Sequence, residues 1–381
     1  MAEPTPVRCP AIEHPDVPPA DPADLDPLLD RLDAPEAPEG DEAFPLGTLR
    51  ADGRVDLCKQ GLGVEGTARV LPVAARSPHA VHVLLGTNRM GDEGARAVAA
   101  ALRPGHGLET LYLGCNRIGP EGVTALAGGL SEDATVRAVW LKRNPVGDEG
   151  ARALAGMLRR NHTIRTLDLV NTGVRAEGLR ALLDALLDRP VPLERLFLGG
   201  NGLGAAEAGL LAALIRDAGV RELYLSASHL GDEGAAVLAS AAVEAGGASR
   251  PVRFGLGGNG IGPQGARALA DALEAIEALD LARPPSERAL GAPPNVTGDE
   301  GAVALAEALP GSPLRRLDLR RTGLTGRGAR KLVQSVPEDT RLEYVGLGPG
   351  VPRRMKRALA PRLRPDQGRH PDVRAIGSVY R

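Results

Sequence analysis

The chain has 381 residues, of which 43% are hydrophobic and only 2% aromatic, and its formal net charge is −2. This length can bury the core of two ordinary domains or one elongated domain, and the balanced charge gives no reason to expect nucleic acid or an anionic membrane as the main partner. Because the sequence begins without a secretory signal and has no run of about 18 apolar residues, we expect a cytoplasmic protein without a membrane span.

The first segment, residues 1–45, differs in composition from the rest. It contains 11 prolines and 12 acidic against 2 basic residues, a composition that predicts a mostly disordered region. Within it, DLDPLLDRLDA (Asp24 to Ala34) is amphipathic, and we expect that it can form a helix belonging to an N-terminal cap.

A repeat of about 28 residues organises residues 46–361, which we predict to be one domain. LETLYLGCN, VRAVWLKRN and LERLFLGGN share the template apolar-x-x-apolar-x-Leu-x-x-Asn. Eleven units place their ninth position at Gln60, Asn88, Asn116, Asn144, Thr172, Asn201, Ser228, Asn259, Asn295, Thr322 and Gly350. The late arrival of Asn295 indicates a surface-loop insertion at about residues 285–294.

Each unit divides into a strand and a helix. The first half alternates over a few residues, as a short strand does. The second half begins with GDEG or GPEG and continues with apolar residues at helical spacing, as in GDEGARALAGMLRR. Asp148 and Glu149 suit the first turn of a helix, where free N–H groups favour acids. One such unit cannot bury its own apolar face, so the units must stack.

This pattern, with a full helix in each unit, resembles the ribonuclease-inhibitor type of leucine-rich repeat proteins. The resemblance covers about four-fifths of the chain and implies an α/β horseshoe, with a parallel sheet on the concave side and helices on the convex side. Ribonuclease inhibitor often has Cys at the ninth position, whereas this chain has mostly Asn, so ribonuclease binding does not follow. The abundance of Arg, Ala, Gly and Pro is bacterial-looking, as in a GC-rich genome.

The C-terminal segment, residues 362–381, is predicted to be a basic capping segment or tail. From Arg353 onward there are 9 basic against 2 acidic residues. Either this stretch is a solvated cap, or it attracts an acidic partner. Its last part, HPDVRAIGSVYR, is less polar and can pack as an extra edge.

No motif in the sequence predicts catalysis, a cofactor or a metal. Gly61-Gly63-Gly66 and Gly260-Gly262-Gly265 match the dinucleotide fingerprint, but the same turn recurs in nearly every unit, so the repeat itself explains them. Asp280 and Asp318 lie in consecutive units and are the one candidate for a pair of carboxylates, without a nucleophile or metal ligands nearby in the pattern.

The fifth position of the template should line the concave wall, because side chains alternate along a strand. Four of the eight aromatic residues fall in this column, and Trp140 is predicted to point outward, where alanine would cost little stability. Aromatic residues and Arg are favoured in protein interfaces. The proposed partner-binding residues are Tyr112, Trp140, Lys142, Asp168, Phe197, Tyr224 and Arg320. The alternative is that the aromatic rings only stabilise one another across strands.

Two functions of different classes follow from this surface. The first is a non-enzymatic, monomeric scaffold that binds a partner protein on its concave face. The second is a regulator of a GTPase, because Ran GTPase-activating proteins resemble this chain in repeat class and number; they carry an acidic tail after the repeats, whereas here it precedes them. RNA binding is a third, weaker reading, since Arg occurs with aromatics but acids are interleaved.

Overall fold

A computed structural model describes residues 6–8 and 18–380. The chain divides into two compact units. The first unit comprises the described residues of Pro6–Leu193 and of Arg369–Arg381, and the second comprises Glu194–Gly368.

The first unit contains seven strands and six helices before residue 194, counted over its described residues. The strands are β1 (Glu42–Ala43), β2 (Thr48–Leu49), β3 (Arg54–Asp56), β4 (His82–Leu84), β5 (Thr110–Tyr112), β6 (Ala138–Trp140) and β7 (Thr166–Asp168). The helices are α1 (Asp26–Asp33), α2 (Gly63–Arg76), α3 (Gly91–Ala101), α4 (Pro120–Leu130), α5 (Gly147–Arg160) and α6 (Ala176–Leu187). Strands β3 to β7 pair in parallel in sequence order, and β1 and β2 add an antiparallel hairpin at β3.

The second unit repeats the same alternation. Its strands are β8 (Arg195–Phe197), β9 (Glu222–Tyr224), β10 (Val252–Gly255), β11 (Ile276–Asp280), β12 (Arg316–Asp318) and β13 (Tyr344–Gly346), all parallel and in sequence order. Its helices are α7 (Ala208–Arg216), α8 (Gly231–Glu244), α9 (Pro263–Asp271), α10 (Gly298–Ala308), α11 (Gly326–Ser335) and α12 (Arg353–Leu359). A short helix, α13 (Pro371–Ala375), follows and belongs to the first unit.

Both units confirm the predicted class of fold, a leucine-rich-repeat α/β solenoid with a parallel sheet. The template's fourth and sixth positions are core residues: Val139 and Leu141 in one repeat, and Leu223 and Leu225 in another, are at most 1% exposed. Since side chains alternate along a strand, the fifth position lies on the opposite side, which we call the sheet face.

Asparagines at the ninth position form a ladder of hydrogen bonds between repeats. Asn144 donates from Nδ2 to the carbonyls of Leu113 and Leu141, both at 2.9 Å. Its Oδ1 accepts from the backbone N–H groups of Asn116 and Ile118, at 2.8 and 3.0 Å. Each buried amide therefore satisfies the turn of its own repeat and that of the preceding one.

The ladder continues across the insertion in the second unit. Residues 285–294 contain no helix or strand, yet Asn295 Oδ1 accepts from Asn259 N at 2.9 Å, and its Nδ2 donates to Leu256 and Leu281. The extra residues form a loop outside the repeat, and after this loop Asn295 makes the usual bonds to the preceding repeat.

The Asp of each GDEG motif binds the helix of the next repeat. Asp148 Oδ1 accepts from Arg175 N at 2.7 Å and from Gly178 N at 3.0 Å, at the start of α6. Asp232 makes the same bonds to Gly262 and Gly265 at the start of α9. A Cβ on Gly178 would lie 2.6 Å from the Asp148 oxygen, which explains the glycine there. Asp148 also lies in the first turn of its own helix, α5, as the sequence predicts.

Much of the segment expected to be disordered is structured. Leu25, Leu28 and Leu32 are fully buried, and α1 is fixed to the first repeat by Ser77 Oγ, which donates to the carbonyl of Leu32 at 2.6 Å. A first repeat leaves an apolar helix face without a neighbour, and these leucines cover it. The amphipathic pattern of DLDPLLDRLDA predicts this helix and its place in an N-terminal cap, whereas the composition of the whole segment predicts disorder.

Two further features bear on the expected compartment. Among the described residues, no helix has the length and apolar character needed to cross a membrane. Cys115 is disulfide-bonded and Cys58 is a free thiol. Disulfides are rare in the cytosol, so the cysteines do not support the cytoplasmic expectation.

Replacement of Asn144 by alanine should destabilise the chain by roughly 3 kcal/mol or more, because four buried backbone groups lose their partner at once. Urea unfolding followed by circular dichroism measures this. The exposed Glu149 is the control, and Glu149→Ala should change stability by about 0.5 kcal/mol or less. Equal effects of the two variants would contradict a stabilising ladder.

Candidate functional site

The strand register aligns the predicted column within each unit. In the first unit Tyr112 pairs with Trp140, and Trp140 with Asp168. In the second unit Phe197 pairs with Tyr224, and the column continues through Gly255, Asp280, Asp318 and Gly346. The structure thus brings the candidate residues together as two groups, one in each unit.

The aromatic residues of the first unit are not accessible. Tyr112 is 3% exposed and Trp140 is 1% exposed. The ring of Tyr112 lies against two glycines, since a Cβ at Gly86 would come within 2.5 Å of it and one at Gly114 within 2.9 Å of its hydroxyl. Trp140 is on the predicted side of its strand, but that side is covered, and the expectation of a solvent-exposed tryptophan is wrong.

Two charged residues share this covered region. Lys142 Nζ lies 5.6 Å from the centre of the Tyr112 ring. Burial lowers the pKa of Lys142 to about 8, while the charge of Asp168 opposes the shift. Burial raises the pKa of Asp168 to about 6, against the charge of Lys142. Asp168 Oδ1 accepts from Val170 N at 2.8 Å, and within the described part of the chain its Oδ2 has no hydrogen-bond partner.

The aromatic residues of the second unit form a stacked pair. The rings of Phe197 and Tyr224 are 4.2 Å apart and 7° from parallel, and both residues are half-buried. The Tyr224 hydroxyl donates to Glu222 Oε2 at 2.8 Å. The ring lies over Gly255, where an added Cβ would be 2.6 Å from a ring carbon. The ring stacking, the hydrogen bond of Tyr224 to Glu222 and the contact with Gly255 hold the two rings in place before a partner binds.

A row of alternating charges runs across the strands beside this pair. Its members, in strand order, are Arg195, Glu222, Arg253, Glu277, Arg315 and Glu343. Arg195 Nε and Glu222 Oε1 are 3.1 Å apart, and Arg253 Nε and Glu277 Oε2 are 2.8 Å apart. Burial acts to raise the pKa of Glu277, but hydrogen bonds and charges of Arg253 and Arg315 lower it overall. We call this row the charge ladder.

Sequence reasoning missed most of the charge ladder. A register shift between Val252 and Arg253 moves the row from the third to the second template position, so Glu277 and Glu343 did not align with Glu222. Bulges of this kind leave no simple mark in a periodic pattern.

The Arg320 side chain is hydrogen-bonded within the protein and is also exposed. Its Nε donates to Asp318 at 2.9 Å, and its side chain is 57% exposed. The Tyr344 hydroxyl donates to the same carboxylate at 3.2 Å. Asp318 is therefore engaged by its own neighbours, which does not favour a catalytic pair with Asp280. Among the described residues, no three His, Cys, Asp or Glu side chains are placed to hold a metal ion.

Comparison with known proteins agrees with the repeat architecture. A family model described as "Leucine Rich repeat" matches residues 108–127, 133–155, 160–183, 256–270 and 312–333. Together with the fold, these matches support a leucine-rich repeat protein. No curated protein matches it.

Two solved structures show distant likeness. One is Leiomodin-1 Actin-Binding Site 2 (ABS2), with 19% identity over 36% of this chain and 79% of that chain and a TM-score of 0.31. The other is the Rad7 and Elc1 complex in yeast, with 15% identity over 79% of this chain and 71% of that chain and a TM-score of 0.49. Neither is close enough to indicate a function.

Trp140→Ala should destabilise the chain by about 3–5 kcal/mol, because it removes a fully buried indole. Denaturant unfolding measures the loss. Leu187, on α6, is 48% exposed, and Leu187→Ala should leave stability within about 0.5 kcal/mol of the parent. If Trp140→Ala were as stable as Leu187→Ala, Trp140 would be exposed, as the sequence pattern predicts, and not buried.

Asp168→Asn should remove a pH dependence of stability between about pH 4 and 6, the ordinary and the raised pKa of this carboxyl. In this window the folded chain holds a proton that the unfolded chain has released, so stability falls as pH rises. The variant keeps an acceptor for Val170 N and lacks the charge. Its free energy of unfolding, relative to the parent, should grow as pH rises.

Chemical denaturation at a series of pH values measures this difference. The control is Asp184→Asn, which replaces an exposed carboxyl on α6. Its free energy of unfolding, relative to the parent, should change little with pH. Parallel pH profiles for the parent and Asp168→Asn would show that Asp168 ionises normally.

Proposed function

We propose that this leucine-rich repeat protein is a non-enzymatic scaffold that binds a partner protein through the sheet face. The observation that carries the proposal is the Phe197–Tyr224 stack, half-buried and held in place by Glu222. Rigid aromatic rings give large contact area at a low cost in rotamer freedom, which is why they are frequent anchors in interfaces.

The charge ladder favours a protein over a nucleic acid. Arg195 and Glu222 are buried, and the more accessible members Arg253, Glu277 and Arg315 alternate in sign at short intervals. A nucleic acid requires a surface of one sign to neutralise its phosphates. Alternating charges instead suit a protein with a complementary pattern, and they select register and orientation more than they add affinity.

Exposed Arg320 at the other end of the second unit's column extends this surface. The proposed residues of the first unit are covered, and they become available to a partner only if this region opens; they are Tyr112, Trp140, Lys142 and Asp168. Partner binding thus has one accessible part, which includes Phe197 and Tyr224, and one covered part.

The double variant Phe197→Ala/Tyr224→Ala should lose capture of the native partner at least tenfold, since anchors of this kind each contribute about 2 kcal/mol or more. Affinity capture with quantitative mass spectrometry identifies the partner, and titration of that partner measures the loss. Both residues are half-buried, so a modest loss of stability is expected and folding is checked by circular dichroism.

Val243→Ala is the matched control, because Val243 lies on helix α8 of the same unit and is 42% exposed. It should capture the partner as the parent does. Undiminished capture by the folded double variant would overturn the proposal. A clear increase in GTP hydrolysis when the chain is added to small GTPases would favour the regulatory function instead.

A further inference from the structure

The side chain of Asn171 binds the backbone of residues 6–8. Its Nδ2 donates to the carbonyl of Pro6 at 2.9 Å, and its Oδ1 accepts from the backbone N–H of Arg8 at 2.9 Å. These partners are 165 and 163 positions away in the sequence, and all three residues belong to the first unit. One amide therefore holds two main-chain groups of a distant segment.

The two bonds have the pattern of a parallel β-ladder. In such a ladder, one residue donates to a carbonyl of the neighbouring strand and accepts from the N–H two residues later. The amide of Asn171 does the same with Pro6 and Arg8. Val7 stands between them, and its β-branched side chain favours an extended backbone. Asn171 thus binds groups that every extended segment carries, provided that no proline takes the place of Arg8.

The turn of the repeat does not require this amide. Asn171 is at the eighth template position and has a φ of 51°, a left-handed conformation in which asparagine is common. Other repeats have the same conformation at this position with residues that carry no amide, namely Lys59, Thr87, Cys115, Arg143, Ala227 and Arg321. Within the turn itself, Thr172 Oγ1 donates to the carbonyl of Leu169 at 2.7 Å.

The bound segment has one inward and two outward side chains. Val7 is half-buried, and a Cβ on Gly173 would lie 3.5 Å from its Cγ2. Pro6 and Arg8 are exposed, whereas Asn171 is 1% exposed. An apolar side chain therefore packs beside the turn, and the side chains on either side of it contribute little to the contact.

We infer that Asn171 is a binding site for the backbone of an extended peptide, and that residues 6–8 occupy it as an intramolecular ligand. The peptide carries a small apolar side chain between the carbonyl and the N–H that Asn171 binds. The inference goes beyond the proposed function, because it assigns a second site, in the first unit, that does not involve Phe197 or Tyr224.

Occupation by the chain itself controls access to this site. Because residues 6–8 are attached to the chain, their effective concentration is high, and a free peptide has to compete with them. A partner enters the site when an extended segment of its own replaces residues 6–8. The main-chain bonds supply the affinity, and the place of Val7 supplies the selection for a small apolar side chain.

Two variants of the full-length chain at one exposed position test whether the site can be opened. Arg8→Pro removes the backbone N–H from which Asn171 accepts, whereas Arg8→Ala keeps it. Only Arg8→Pro should free the site. Both variants should melt cooperatively, close to the parent, because residues 6–8 lie outside the helices and strands.

The probe is a fluorescein-labelled peptide of residues 1–12 with Cys9→Ser, titrated by fluorescence anisotropy. A dithiol reductant is present, which opens the disulfide of Cys115. The peptide should bind the Arg8→Pro chain saturably and at least about tenfold more tightly than the Arg8→Ala chain, whose own segment competes. Methylation of the Arg8 backbone nitrogen of the peptide should weaken binding by about tenfold, because one hydrogen bond is lost. Arg8→Ala in the peptide should have little effect.

The second arm changes the receptor in the Arg8→Pro chain. Asn171→Gly suits the left-handed backbone and removes the amide, so peptide binding should be lost. Arg321→Gly is the matched control, because Arg321 is exposed, at the same template position, and has a φ of 63°. It should bind the peptide as its parent does.

Failure of the peptide to bind the Arg8→Pro chain would contradict the inference. Equal binding of the N-methylated peptide would also contradict it, since the backbone would then not be recognised. Loss of a cooperative melt in Arg8→Pro would do the same, since residues 6–8 would then belong to the folding core. None of these results depends on Phe197 or Tyr224, so capture of the partner by the second unit tests the proposed function separately.

Discussion

The hydrogen bonds of the ninth-position asparagines align consecutive repeats with one another. Asn144 fixes the turn of its own repeat to the turn of the preceding one through four buried bonds. Consecutive strands are thereby held in one register, and the fifth positions align as a column. Buried amides satisfied on both sides are costly to break, so the repeats keep this register even where ten residues are inserted before Asn295.

Periodicity predicts the part of the structure that is determined locally. Strand, turn and helix follow from apolar spacing, and stacking follows because a single repeat cannot bury its core. The same reasoning places Asp148 in the first turn of its own helix, but it does not predict the bonds of Asp148 to the helix of the next repeat. It also could not align the charge ladder beyond Arg253, where a register shift breaks the period.

The largest difference concerns Trp140. Its side of the strand follows from alternation, but alternation does not determine whether that side is covered. The contact between Thr166 and Asp372 joins residues 206 positions apart, and no repeat pattern predicts such a pairing. At the other end of the chain, the amphipathic spacing predicts the helix α1, and its buried leucines show that a few apolar side chains outweigh an acidic, proline-rich composition.

The central claim is that one aromatic pair of the column is covered by the chain itself and the other is accessible. Hydroxyl-radical footprinting of the full-length chain, read by mass spectrometry, measures the reactivity of each side chain directly. The account predicts that Trp140 and Tyr112 react far more slowly than their intrinsic reactivity allows, whereas Phe197 and Tyr224 are readily modified. Modification of Trp140 at the rate of an exposed tryptophan would contradict it.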